Sequence, residues 1–181
     1  MPPPIFTTAD VLRIAVKNEL AGEAFYRQIA QRTPEPAVRD LFLLLADEEP
    51  RHAAIFSRLL EGIDETQAPR ADLDEYVGYM IAYYNANILF ADNQADELPA
   101  APDPVAALDF GIQRELDSII YYTQVKELVP TSQAHQIDAI IAEERNHFLK
   151  FSKLKRTYLA AASVPHQGET LSGSHPPPPI Q

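Results

Sequence analysis

Two stretches of the chain, EEPRHAAIFSRL from Glu48 and EERNHFLKFSKL from Glu143, share the pattern Glu-Glu-x-x-His-x-x-x-Phe-Ser-x-Leu. Each sits inside an apolar pattern of helical period, so the fold has to present the same carboxylate–imidazole pair from two helices. The echo continues upstream. Aligning Glu19 with Glu115 also aligns Leu20 with Leu116, Phe25 with Tyr121, Tyr26 with Tyr122 and Gln28 with Gln124. Two related helix pairs about an approximate two-fold satisfy both observations.

Start and stop signals place the helices. Thr7 and Thr8 precede an apolar-periodic run, while Thr33-Pro34 and Asp103-Pro104 each set a cap residue before a proline at the first helical position. Pro130-Thr131-Ser132 ends one helix and offers caps to the next. The predicted helices cover about 8–32, 34–61, 104–129 and 132–161, with a shorter one over about 73–91 and no strand alternation anywhere. Short first and last links make two antiparallel hairpins joined by one long crossover, an all-α four-helix bundle. Residues 1–7 are expected to be a flexible N-terminus, 8–161 the bundle, and 162–181 a disordered tail containing the run His175-Pro-Pro-Pro-Pro.

A formal charge of −11 excludes the basic face that a nucleic acid or an anionic membrane would need. No apolar run approaches the roughly 18 residues of a spanning helix, and MPPPIFTTAD lacks the regions of a secretion signal. A cytoplasmic location is expected. Zero cysteines exclude disulfides, thiolate catalysis and cysteine-ligated clusters.

Residues three or four apart share one helix face, and each helix carries a glutamate in mid-seam. The first seam runs Leu12, Val16, Glu19, Glu23, Tyr26, Ala30 and the second Val38, Leu45, Glu49, His52, Phe56, Leu59. The third runs Leu108, Ile112, Glu115, Ile119, Tyr122 and the fourth Ile137, Glu144, His147, Phe151, Leu154, Tyr158. Four carboxylates facing one interior repel strongly, and no Lys or Arg stands on these seams to neutralise them. Two divalent cations would balance four carboxylates and two neutral imidazoles. The Glu-x-x-His step puts both side chains of a pair about one turn apart, within reach of one ion. The predicted metal ligands are therefore Glu19, Glu49, His52, Glu115, Glu144 and His147.

Other residues near the seams are read more plainly. Glu48 and Glu143 lie about 100° away from their seams and are read as outer or surface groups. Glu23, Tyr26 and Tyr122 are candidates for a second layer around the metals, with core packing the plainer role for the tyrosines. His135, His166 and His175 are not expected to be ligands. Pro50 removes a helical hydrogen bond and should kink its helix, either adjusting the metal spacing or as a tolerated defect. The stripe Tyr76, Tyr79, Met80, Tyr83, Asn87 reads as packing on the bundle or as a homodimer interface.

Glu19, Glu49-x-x-His52, Glu115 and Glu144-x-x-His147 together resemble the ferritin-like di-iron carboxylate proteins. KNELAGEAFYRQIA and FLLLADEEPRHAAIFSRL resemble the rubrerythrin branch in particular, over about residues 8–160. The resemblance implies that Glu49 and Glu144 bridge two metals, with Glu19 and His52, and Glu115 and His147, as terminal ligands. Two features depart from rubrerythrins proper. They carry a cysteine-rich rubredoxin-like tail, which implies here a separate electron-donor protein, and they carry a further glutamate where this chain has Ser118.

Imidazole and carboxylate ligation suits two iron ions, with manganese or zinc as alternatives. The expected function is a non-haem di-iron oxidoreductase acting on hydrogen peroxide or dioxygen. Ferroxidase chemistry, with ferrous ion as substrate, is one alternative. A metal-stabilised scaffold whose proline-rich tail binds a partner is another.

Overall fold

The computed structural model describes residues 7–63, 78–79, 82 and 101–163. Four long helices account for nearly all of them: α1 Thr8–Arg32, α2 Pro36–Glu61, α3 Pro104–Leu128 and α4 Thr131–Ala162. No strand occurs among the described residues. The helix expected over about 73–91 falls outside them, save that Gly78, Tyr79 and Ala82 are helical. The expectations for residues 1–6 and 164–181 also lie outside. No helix of the described residues is long and apolar enough to cross a membrane.

The caps carry the repeat further than the side chains do. Thr7 caps α1 in a reciprocal box: its hydroxyl accepts from the Asp10 amide at 3.0 Å, and the Asp10 carboxylate accepts from the Thr7 amide at 3.0 Å. Asp103 occupies the matching place before α3, accepting from the Ala106 amide at 3.1 Å with Pro104 behind it. The caps of α2 and α4, Glu35 and Pro130, also match in register, and neither makes a side-chain capping bond.

Two predicted starts are corrected by this. The Thr33 hydroxyl turns back to donate to the Ile29 carbonyl at 2.8 Å, closing α1, so α2 begins at Pro36, the second proline of its Thr-Pro-Glu-Pro run. Likewise Thr131 is the first residue of α4 and not its cap. α2 continues without interruption through Pro50, which is exposed, so its missing N–H lies on the solvent side of the helix.

α1 packs chiefly on α2, and α3 on α4. The hairpins then meet head to tail. Thr8 donates to the Leu128 carbonyl at 3.2 Å and Tyr121 to the Val11 carbonyl at 3.0 Å, so the start of α1 adjoins the end of α3. α2 therefore ends and α3 begins at opposite ends of the bundle. Those two helix ends thus lie about a helix length, roughly 37 Å, apart.

The core is divided in two. At one end Val11, Leu12, Phe56, Leu59, Tyr122, Val125 and Ile137 form one apolar cluster. At the other Phe25, Tyr26, Ile29, Val38, Phe42, Leu108 and Phe151 form a second. Repeat-related aromatic pairs mark both, Phe56 against Tyr122 at 4.8 Å and Phe151 against Tyr26 at 5.9 Å between ring centroids. Phe151 lies over Gly111, where an added Cβ would fall 2.6 Å from its ring. The seam glutamates and histidines occupy the layer between the two clusters.

Candidate metal centre

Apolar neighbours one turn to either side draw each mid-seam polar residue inward. Glu19 from α1, Glu49 and His52 from α2, Glu115 from α3, and Glu144 and His147 from α4 are all at most 4 % exposed. They fall into two overlapping groups. Donor atoms of Glu19, Glu49, His52 and Glu144 lie within 4.8 Å of one another, as do those of Glu49, Glu115, Glu144 and His147. Glu49 and Glu144 belong to both, and each group adds one further glutamate and one histidine.

His52 Nδ1 lies 3.0 Å from Glu144 Oε1, 3.6 Å from Glu19 Oε2 and 3.8 Å from Glu49 Oε2. His147 Nδ1 lies 3.2 Å from Glu144 Oε2 and 3.7 Å from Glu115 Oε2. The two imidazoles stand nearly parallel, 5.9 Å between centroids. Each turns its Nδ1 toward the carboxylates and its Nε2 away.

Glu48 and Glu143 take up those outward nitrogens, each across the hairpin boundary. His52 Nε2 lies 2.9 Å from Glu143 Oε2, and His147 Nε2 lies 2.7 Å from Glu48 Oε2. Glu143 is paired in turn with Arg51, and Glu48 with Lys150 at 3.4 Å. A neutral imidazole held this way donates from Nε2 and keeps its Nδ1 lone pair for a cation. The doubled Glu-Glu of each motif thus has two jobs: the second residue faces the cluster, and the first clasps the histidine of the other hairpin.

Burial and repulsion shape the charges. Burial, then the neighbouring Glu19, raises Glu49 well above the usual carboxylate range; burial, then Glu144, does the same to Glu115. Burial opposes protonation of both histidines, but the close carboxylates of Glu144 and Glu19 lift His52 to about 11. Glu115 and Glu144 lift His147 to about 10. Burial raises Glu144 as well, yet both imidazoles outweigh it and hold that carboxyl below its ordinary value. Protons concentrate where positive charge is needed.

Three buried atoms of the first group, Glu19 Oε1, Glu144 Oε1 and His52 Nδ1, make no hydrogen bond. The 3.0 Å between His52 Nδ1 and Glu144 Oε1 lacks donor–acceptor alignment, so proximity leaves both unsatisfied. Buried polar atoms in that condition are costly unless something else meets them. Carboxylate oxygens and imidazole nitrogens converging on two points fit a pair of divalent cations of the iron, manganese or zinc kind.

The second layer is partly as expected. The Tyr26 hydroxyl donates to Glu115 Oε1 at 2.5 Å, and Asn18 Nδ2 donates to the Tyr122 hydroxyl at 2.5 Å. Burial, reinforced by nearby carboxylates, pushes both phenols well above their ordinary range and keeps them neutral. Glu23 does not join. Its carboxylate pairs with Arg27 at 3.0 Å, outside both groups. His135 is exposed.

One cation was missed from the seams. Arg114, off the α3 seam, is nonetheless buried, its Nη2 donating to the Asn18 carbonyl at 2.8 Å and to Asn18 Oδ1 at 2.9 Å. The repeat held the signal: Asn18 precedes Glu19 as Arg114 precedes Glu115, and the two meet where α1 faces α3.

The sequence profile of rubrerythrin matches residues 10–155. The chain belongs to the rubrerythrin family. Among solved structures, a protein of Thermotoga maritima described as a ferritin-like diiron-carboxylate protein is similar, at 25% sequence identity and a TM-score of 0.65. The similarity covers 85% of this chain and 97% of that one. No curated protein sequence matches the chain. The all-helical ferritin-like fold and the carboxylate–histidine cluster are thus those of a rubrerythrin-family di-iron carboxylate fold with a candidate di-metal site. Ser118 on α3 is buried. Here it accepts from Asn18 Nδ2 at 3.3 Å, in the α1–α3 polar layer.

Proposed function

We propose that this rubrerythrin-family chain is a non-haem di-iron oxidoreductase that reduces hydrogen peroxide or dioxygen with electrons from a separate protein. One observation carries the reading. Two four-residue groups share Glu49 and Glu144, so two ions held there would lie side by side and share both bridging carboxylates. Glu19 and His52 would complete one position, Glu115 and His147 the other. Two bound ferrous ions would supply one electron each to a two-electron reduction.

The chain's own residues supply the rest. The two apolar clusters close both ends of the layer and keep bulk water from it. Glu48 and Glu143 fix the tautomer and orientation of the histidines. Tyr26 holds Glu115 by a short hydrogen bond and leaves its other oxygen toward His147.

Ferrous-ion titration with elemental analysis, followed by stopped-flow absorbance against peroxide and against oxygen, tests the proposal. Binding of two irons per chain with rapid oxidation by peroxide is the expected result. Retention of many irons per chain would point instead to iron handling, and bound metal inert to both oxidants would overturn the oxidoreductase reading.

A further inference from the structure

A formal charge of −11 conceals one cationic stripe. From Arg145 to its end, α4 carries five of the chain's 15 Lys and Arg, and no Asp or Glu. Two are engaged within the bundle: Lys150 holds Glu48 at 3.4 Å, and Lys155 pairs with Asp109. The other three, Arg145, Lys153 and Arg156, are exposed and pair with no described residue. With Leu149 they recur at steps of four, four and three, which puts all four on one outward face of α4.

Helix α3 lends that face an apolar border. The two helices run antiparallel, with Lys155 on Asp109 near one end and Lys126 on Asp138, at 2.7 Å, near the other. In that register Leu116 stands level with Leu149, and Ile120 with Arg145. Leu116, Ile120 and Leu149 are 36 %, 43 % and 48 % exposed. Clustered apolar side chains rimmed by charge mark a surface that meets something. The repeat shows that the fold does not require them. Their counterparts in the first hairpin are Leu20, Ala24, Pro50, Ala54, Arg58 and Glu61, with one leucine, one cation and one acid among them.

We infer that this α3–α4 face, with Leu116, Ile120 and Leu149 among Arg145, Lys153 and Arg156, docks the separate electron donor, and that the donor is a small acidic protein. The inference rests on the oxidoreductase reading and names the chemistry of its partner. Complementary charge selects an acidic occupant. The remainder of a chain of net −11 repels any polyanion longer than the patch, so the occupant is compact. Six side chains fall well short of the roughly 20–30 a side that a stable dimer engages, and suit a transient redox encounter. Position supplies the last argument. Arg145 and Leu149 share two turns of α4 with the inward Glu144 and His147. A redox group held against them lies about one helix diameter, roughly 10–12 Å, from the metal layer. Each reduced carrier loses one electron to one ferric ion, so two carriers in turn restore the ferrous pair.

A flavodoxin of strongly negative net charge serves as the probe. Calorimetry of its oxidised form against the zinc-loaded protein measures docking without any iron chemistry. Binding should weaken steeply as salt is raised from 20 to 200 mM, roughly in step with the shrinking Debye length. Lys153→Glu should weaken it by at least about fivefold, whereas Arg58→Glu, the same charge change at the repeat-related place, should weaken it by less than about twofold. Lys153→Glu combined with Arg156→Glu should slow reduction of the peroxide-oxidised iron protein by reduced flavodoxin at least about tenfold. Oxidation of the same double variant by peroxide should keep its wild-type rate.

Absence of binding to the wild type would overturn the inference, as would equal losses in Lys153→Glu and Arg58→Glu. Self-association of the wild type that Lys153→Glu abolishes would give the face to a second copy and overturn it too. In each case, iron that still reacts with peroxide leaves the oxidoreductase reading standing. A wild-type protein inert to both oxidants would sink that reading itself, and this inference with it.

Discussion

The two sides of the metal layer have treated their inherited repeat differently. On the α2–α4 side the copies keep the same residues in matching places: Glu48 and Glu143 each hold the histidine of the other hairpin, and Glu49 and Glu144, His52 and His147, Phe56 and Phe151 are all buried. On the α1–α3 side Glu19 and Glu115 are kept, with the buried Tyr26 and Tyr122. Around them Asn18 faces Arg114, Gly22 answers Ser118, and Glu23 answers Ile119. Symmetry is retained where two ions would each need the same donors. It is given up on the α1–α3 side, where the repeat-related Asn18 and Arg114 hydrogen-bond to each other and so need unlike side chains.

The strongest way to break that contrast is through the shared carboxylates. Glu144→Ala should abolish binding of two metals per chain, because both groups use that residue, whereas Glu19→Ala should weaken one position only. Elemental analysis after ferrous-ion loading decides it, and unchanged stoichiometry in Glu144→Ala would remove that residue from the site.

Next in size come the outer clasps. Glu48→Gln and Glu143→Gln should each weaken metal binding by about 10- to 100-fold, the usual effect of losing a partner that orients a ligand histidine. The two losses should be similar if the α2–α4 side is symmetric in energy as well as in geometry. Competition with a metal-sensitive dye gives both affinities. A large loss in one variant and none in the other would show that the symmetry is only of form.

The smallest effects belong to the matched helix starts. Thr7→Ala and Asp103→Ala should each destabilise the fold by about 1 kcal/mol in urea titrations. Thr7→Ala should cost more, because it also removes the bond that the Thr7 hydroxyl donates to the Asp10 carboxylate at 2.7 Å. The Thr7 hydroxyl and amide hold Asp10 below its ordinary value against a modest effect of burial. The stabilisation Asp10 provides is therefore present above the unfolded carboxylate range near pH 4 and disappears as pH falls through its lower folded value. Thr7→Ala should lose the hydroxyl's share of that acid dependence while the residue 7 amide keeps its own, and an identical acid profile would count against the box.

Much of this was legible in the order of residues. Helical period, proline after a cap residue and the doubled motif were enough for four helices, their hairpin pairing and the six side chains that converge. Two kinds of feature were not. Thr33 precedes a proline in the manner of a cap, but its hydroxyl had a nearer carbonyl one turn back, a competition that periodicity does not register. Arg114 stands off its seam and was passed over, because a seam reports which face a side chain leaves from and not whether the facing helix has room for it. Asn18 and Gly22 provide that room. The outer glutamates were half legible: their angle set them apart from the cluster, but that each reaches for the histidine of the opposite hairpin depends on α2 and α4 running antiparallel.

The crossed clasps also tie site assembly to the union of the hairpins. His52 is steadied by a residue of the second hairpin and His147 by one of the first, so neither half can present a correctly aimed imidazole alone. Ions seated between them would act as rivets across the seam between the hairpins. Their departure would be felt first as a loosening of one half against the other, with each antiparallel pair still intact.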